Sequence, residues 1–163
     1  MSLDVQTLRD SFGLIAERNP EITKRFYEIF FEKYPMVRPM FGRRSQREQE
    51  AMLTQALVAV LDHLEDAPTL GTILRDVGAR HVAYGVRDEM YGWVGDALLT
   101  AFAEVLGDDF TPAVRAAWTD AYGAIVGLAL EGARTARGEL AVPSVQASSS
   151  APSTSMPSRR IKR

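Results

Sequence analysis

SQREQEAMLTQALVAVLDHL, residues 45 to 64, decides the fold class. Leu53, Leu57, Val60, Leu61 and Leu64 fall at i, i+4, i+7, i+8 and i+11, a single apolar stripe on a helix and incompatible with the strict alternation of a half-buried strand. Working outward, Asp66 to Pro68 breaks this helix, and Leu70, Ile73, Leu74, Val77 and His81 then form one face of a shorter one. Gly85 ends it. Asp88 is placed to cap a long helix in which Tyr91, Val94, Leu98, Phe102, Val105 and Leu106 point inward.

The same period fills the rest of the chain. Leu3 to Arg18 reads as a first helix, stopped at Asn19-Pro20, with Asn19 expected as cap and Pro20 in the first turn of the next. That second helix runs to about Tyr34, with Ile22, Phe26, Ile29 and Phe30 inward. Pro35 and Pro39 bracket a short helical turn, and a corner follows at Phe41-Gly42. Thr111-Pro112 opens the last helix as cap and first-turn proline, with Val114, Trp118, Ala121, Tyr122 and Ile125 on its apolar side, ending near Arg137. No stretch alternates as a strand would, so the expected class is all-α. Beyond Gly138 the chain turns to Ser, Pro and Ala with an SRRIKR ending, too poor in large apolar groups to fold alone. The expected organisation is a domain over residues 1–137 and a disordered basic tail over 138–163.

Composition bounds the function. A chain of 163 residues with 46% apolar content builds one substantial core. With 19 basic against 21 acidic residues the body offers no broad positive field to attract nucleic acid or an anionic membrane. The absence of cysteine excludes disulfides, thiolate metal sites and thioether-linked haem. No run reaches a membrane span and the first residues lack a leader pattern, so a soluble cytoplasmic protein is expected.

Few residues stand out chemically. Of the two histidines, His63 lies at the polar end of its helix beside Asp62 and Glu65, where a solvated structural role is expected. His81 occupies a core position on an apolar face, where a titratable ring is costly without a partner. Such a histidine is ordinarily a hydrogen-bonded core residue, and pattern alone does not make it a ligand. Tyr27 and Gln49 are polar-tipped residues beside the apolar stripes of two helices and within reach of a pocket between them. Nucleophile elbows, phosphate loops and dinucleotide glycine motifs are absent.

Four segments in order resemble the globin family, specifically single-domain bacterial globins and the haem domain of flavohaemoglobins. They are RFYEIFFEKYPMVRPMF (25–41), HLEDAPTLGTILRDVGARHVAYGV (63–86), YGWVGDALLTAFAEVLG (91–107) and FTPAVRAAWTDAYGAIVG (110–127), the last also similar to neuroglobins. The resemblance covers about residues 3 to 135. It implies a globin fold around non-covalent haem b, with His81 as the proximal iron ligand and Phe41 stacked on the porphyrin. Carried over by position, Tyr27 and Gln49 are the distal tyrosine and glutamine, Leu53 the apolar residue above the iron, and Val86, Tyr91 and Val94 proximal pocket residues. The Phe41-to-Gln49 corner is about two residues shorter than in bacterial relatives, so Glu48 with Met52 is a competing register. Counting back from the ungapped 63–86 segment favours Gln49 with Leu53.

Two departures limit the inheritance. The family pairs the proximal histidine with a tyrosine and a glutamate; Tyr91 is present, but the glutamate position falls on Ala133. Glu131 is two residues away, a rotation of about 200° on a helix, and is not expected to substitute. No flavin or nicotinamide segment follows the haem-domain match. The resemblance implies reversible binding of O2, CO and NO, for oxygen transport, storage or scavenging. An alternative is nitric oxide dioxygenation to nitrate with electrons from a separate reductase, and a third is a gas sensor whose basic tail contacts a partner.

Overall fold

Most helices begin where a short polar side chain replaces the hydrogen bonds that a first turn lacks. The structure is a computed structural model that describes residues 3–139. It comprises α1 (Val5–Arg18), α2 (Ile22–Lys33), a 3-10 segment (Pro35–Phe41), α3 (Gln46–Asp62), α4 (Ala67–Ala83), α5 (Asp88–Leu106), a 3-10 turn (Gly107–Asp109) and α6 (Pro112–Ala136). Asp4 caps α1 through Thr7, Asp66 caps α4 through Thr69, and Thr111 caps α6 through Val114. Ser45 and Glu48 form a reciprocal capping box at the head of α3. No strand occurs among the described residues. The tail expected from residue 138 lies outside them beyond Glu139.

Two caps differ from the sequence reading. Asn19 does not cap α2: its side-chain oxygen accepts from the Glu21 amide at 3.0 Å, closing a local turn that holds Pro20 ahead of the helix. Asp88 is the first residue of α5 rather than its cap, which is the extended Arg87. Its carboxylate accepts from Arg137 at 3.1 Å and also faces the positive end of the helix dipole.

α2 packs on α5, α4 lies along α6, and α1 spans α5 and α6. The main core gathers Leu8, Ile15, Phe26, Phe30, Leu57, Phe102 and Trp118. Trp118 Nε1 donates to Ser11 Oγ at 2.9 Å, which satisfies two buried polar groups deep in that core. A second, smaller cluster of Val60, Leu70 and Leu74 ties α3 and α4 to Ile125 and Leu128 of α6.

The α4–α6 crossing is unusually close. A side-chain carbon added at Gly78 would overlap the Ala129 backbone, and one at Gly132 would overlap the Arg75 backbone. Glycine at these two positions lets the helices meet backbone to backbone. This positions the end of α4, and with it His81.

Candidate functional site

The chemistry-bearing residues fall into two groups. On one side, the Tyr27 ring is buried on α2, and its hydroxyl donates to the Gln49 carbonyl of α3 at 3.4 Å. Phe41 stands edge-on to Tyr27 with centroids 5.8 Å apart, and edge-on to Phe31 at 5.3 Å. Leu53, one turn beyond Gln49, is half-buried against the same core. Burial pushes the Tyr27 phenol up to about 12, assisted by the nearby Glu50 charge, so it stays a protonated donor across ordinary pH.

The alternative register presents a different surface. Glu48 is exposed, with its carboxylate held by the Ser45 amide in the capping box. Met52 is 41% exposed, and its sulfur meets the Arg44 guanidinium.

On the other side, His81 lies near the end of α4, half-buried. Its Nδ1 sits 2.7 Å from the Val77 carbonyl one turn back. Only a protonated Nδ1 can make that bond, which leaves the lone pair on Nε2. Burial lowers the His81 pKa, outweighing the carbonyl bond, and the Arg80 charge adds to the lowering, so the neutral ring is favoured. Gly85, at φ 81°, occupies the left-handed region that glycine adopts without strain, and the chain folds back so that the Val86 amide donates to the His81 carbonyl at 3.1 Å. Tyr91 from α5 lies beside the imidazole with ring centroids 6.1 Å apart and planes inclined by 30°. Val94, one turn along α5, packs against the main core.

The structure thus brings Tyr27, Phe41, Gln49 and Leu53 together, and separately His81, Val86 and Tyr91. Among the described residues no hydrogen bond or aromatic contact joins the groups. His63 lies apart, its Nδ1 bonded to the Ala59 carbonyl at 2.8 Å at the end of α3.

The proximal departure has a visible consequence. Ala133 is only 2% exposed, and among the described residues no carboxylate hydrogen-bonds Tyr91. The Tyr91 hydroxyl is buried without a hydrogen-bond partner among the described residues. Glu131 is spent elsewhere, accepting from Arg75 Nε at 2.9 Å.

Sequence reasoning passed over two features. One is the glycine pair that sets the α4–α6 distance, legible only once the partner helix is known. The other is a cavity of about 160 Å3 beside Gln49, lined also by Phe31, Arg38, Phe41, Gly42, Arg44 and Gln46. Its signal was present in the sequence: residues 38–47 hold four arginines and no carboxylate.

A helical order of this kind is that of a globin. The globin family profile matches residues 24–128, more than half of the chain, and the chain belongs to that family. It is similar to the flavohemoprotein of Rhizobium meliloti, 34% identical over 112 residues, covering 68% of this chain and 28% of that protein. The Bacillus subtilis flavohemoprotein is 28% identical over 123 residues, covering 74% of this chain and 31% of that one. The chain therefore spans under a third of the length of these relatives. Among solved structures, a bacterial globin from Campylobacter jejuni superposes with a TM-score of 0.71 at 29% identity, over 82% of this chain and 96% of that one. An engineered carbene transferase, made from a Rhodothermus marinus protein provisionally classed as a nitric oxide dioxygenase, gives 0.72 at 26% identity, over 82% and 93%.

Proposed function

We propose that this chain binds b-type haem through His81 and holds a diatomic gas, oxygen foremost, beside Tyr27 and Gln49. The observation that carries the reading is the His81 ring: Nδ1 is committed to the Val77 carbonyl, burial keeps the ring neutral, and Nε2 is left free to ligate. Haem, when bound, would supply an iron that takes this nitrogen as a ligand and can also bind a gas.

The chain's own residues do the rest. Phe41, wedged edge-on between Tyr27 and Phe31, offers its apolar ring to a flat macrocycle. Leu53 and the aromatic cluster keep water away from the gas. The Tyr27 hydroxyl has a long bond of 3.4 Å to a backbone carbonyl, which it can exchange for a better acceptor. A gas that draws negative charge onto its outer atom is held by such a donor more than one that does not, which favours O2 over CO. The Gln49 side chain makes no hydrogen bond among the described residues, so its amide is a second free donor.

A second reading is nitric oxide dioxygenation to nitrate, supported by the likeness to flavohemoproteins. This chain would then draw electrons from a separate reductase. The partnerless Tyr91 hydroxyl weighs against it, because no carboxylate is present to increase the basicity of His81.

The experiment is a set of absorption spectra of the purified protein in ferric, ferrous and CO-bound forms, beside His81→Ala. The expected result is haem in the native protein and its loss, or dependence on added imidazole, in the variant. Identical ferrous spectra from both would overturn the reading. Sustained NADH-linked nitrate formation with an added reductase would favour the dioxygenase.

A further inference from the structure

We propose that the cavity at the head of α3, between Arg38 and Arg44, binds a small free planar oxyanion. Arg38 and Arg44 are the charged residues that line it. Both are placed by contacts that leave their charge uncompensated. The Arg38 guanidinium carbon lies over the Phe31 ring at 5.3 Å from its centroid, and its N–H groups make no hydrogen bond among the described residues. Arg44 Nη1 meets the Met52 sulfur, a weak acceptor that consumes little of the donor.

Carboxylates of α3 lie nearby without pairing with these arginines: Glu50 accepts from Gln46 of the cavity lining at 3.2 Å. Arg9, Arg18, Arg25, Arg75, Arg80, Arg87 and Arg137 all make ion pairs, whereas Arg38, Arg43, Arg44 and Arg47 make none among the described residues. The nearest carboxylate in sequence, Glu48, is engaged by the Ser45 amide. Four arginines within residues 38–47 gather like charge on one corner, and like charges repel within the roughly 8–10 Å screening length. An anion relieves that repulsion.

Size and shape narrow the ligand. The volume of about 160 Å3 takes an anion of a few heavy atoms with some water, and is far too small for a nucleotide or a haem. Guanidinium forks match planar pairs of oxygens, which points to nitrate, nitrite or a carboxylate. Gln46 and Gln49 supply neutral polar groups, and Phe31 and Phe41 form the apolar side. Because Gln49 also borders the proposed gas site, an anion here competes for the same amide.

The test uses the full chain with nitrate as probe and chloride at equal ionic strength as control. Nitrate at tens of millimolar is expected to raise the melting temperature by about 2 °C or more beyond chloride, as ligand linkage requires. Arg38→Gln with Arg44→Gln should abolish the difference, and Arg38→Lys with Arg44→Lys should restore part of it. If nitrate has no effect but the Gln pair loses haem to a scavenger at least five-fold faster than the Lys pair, the arginines serve only the haem carboxylates and the proposal is overturned. If nitrate and chloride act alike and haem loss is also unchanged, the proposal is overturned.

Discussion

Tyr91 lies beside His81 with ring centroids 6.1 Å apart, yet its buried hydroxyl touches no acceptor among the described residues. An unpaired buried hydroxyl lowers stability, and removing it relieves that cost. Tyr91→Phe is therefore expected to leave unfolding free energy unchanged or raise it by up to about 1 kcal/mol. Urea unfolding checks this, and a loss beyond about 1 kcal/mol would mean that the hydroxyl has a partner.

Supplying the missing acceptor is the converse experiment. On α6, Arg137 reaches Asp88 of α5, and Ala133 lies one turn back from Arg137 as Tyr91 lies about one turn on from Asp88. In Ala133→Glu the new carboxylate should accept from Tyr91 and make His81 a stronger donor. Resonance Raman of the ferrous haem-loaded variant should show a higher iron–histidine stretching frequency. An unmoved band with wild-type stability would show that the carboxylate turns elsewhere.

The glycines of α6 divide sharply. Gly132→Ala, like Gly78→Ala on α4, drives a methyl into backbone that has no side chain to displace, with an expected cost of about 2–3 kcal/mol. Gly123→Ala and Gly127→Ala meet nothing within 4 Å. They should stabilise the helix by about 0.5–1 kcal/mol each, through helix propensity alone. Thermal unfolding of the four variants separates the pairs, and a neutral Gly132→Ala would contradict the close crossing.

Replacing Tyr27 by phenylalanine tests the gas site. Losing one donor worth about 1.4 kcal/mol should speed oxygen release roughly ten-fold while CO release changes much less. Equal effects on both gases would remove the donor role. The raised Tyr27 pKa also has a sign. The unfolded phenol ionises near 10 and the folded one near 12, so the folded chain loses stability as pH climbs through that window. That slope should be shallower in Tyr27→Phe.

His81 titrates in the opposite sense. Its folded pKa lies below the ordinary 6.5 because burial opposes the charged ring, so its contribution is intact above that value and declines as pH falls below it. Acid unfolding of the haem-free protein should therefore begin at lower pH in His81→Leu than in wild type. Coincident acid transitions would show that the ring is not desolvated.

The periodic stripes made the helices and most of their inward faces readable: Leu57, Val60 and Leu61 on α3, and Phe26, Ile29 and Phe30 on α2, are all buried. Thr111 announced its cap because an N-cap is a local bond, whereas Ser45 and Asp66, read only as the start of one helix and the break before the next, prove to be caps as well. Asn19 and Asp88 misled for the complementary reason. Asn19 has a nearer backbone donor in a turn, and Asp88 has a distant arginine that no local window includes. His81 was visible as a polar intruder on an apolar face, but what its Nδ1 bonds to, and which side of it Tyr91 flanks, depends on helices joined far apart in sequence. The arginine corner was in plain view; what made it legible was the cavity beside it.

The contact of Gly78 with Ala129 and of Gly132 with Arg75 also governs motion. Where side chains separate two helices, rotamer changes let one slide on the other by fractions of a turn. Here carbonyl meets α-carbon directly, and the steric profile rises within a few tenths of an ångström in every direction along the interface. α4 is thus indexed to α6 like a key in a slot. Any displacement that a ligand imposes on His81 must either swing the imidazole about its own bonds or carry α6 along, so strain generated at the histidine is delivered to the C-terminal helix and not dissipated within α4.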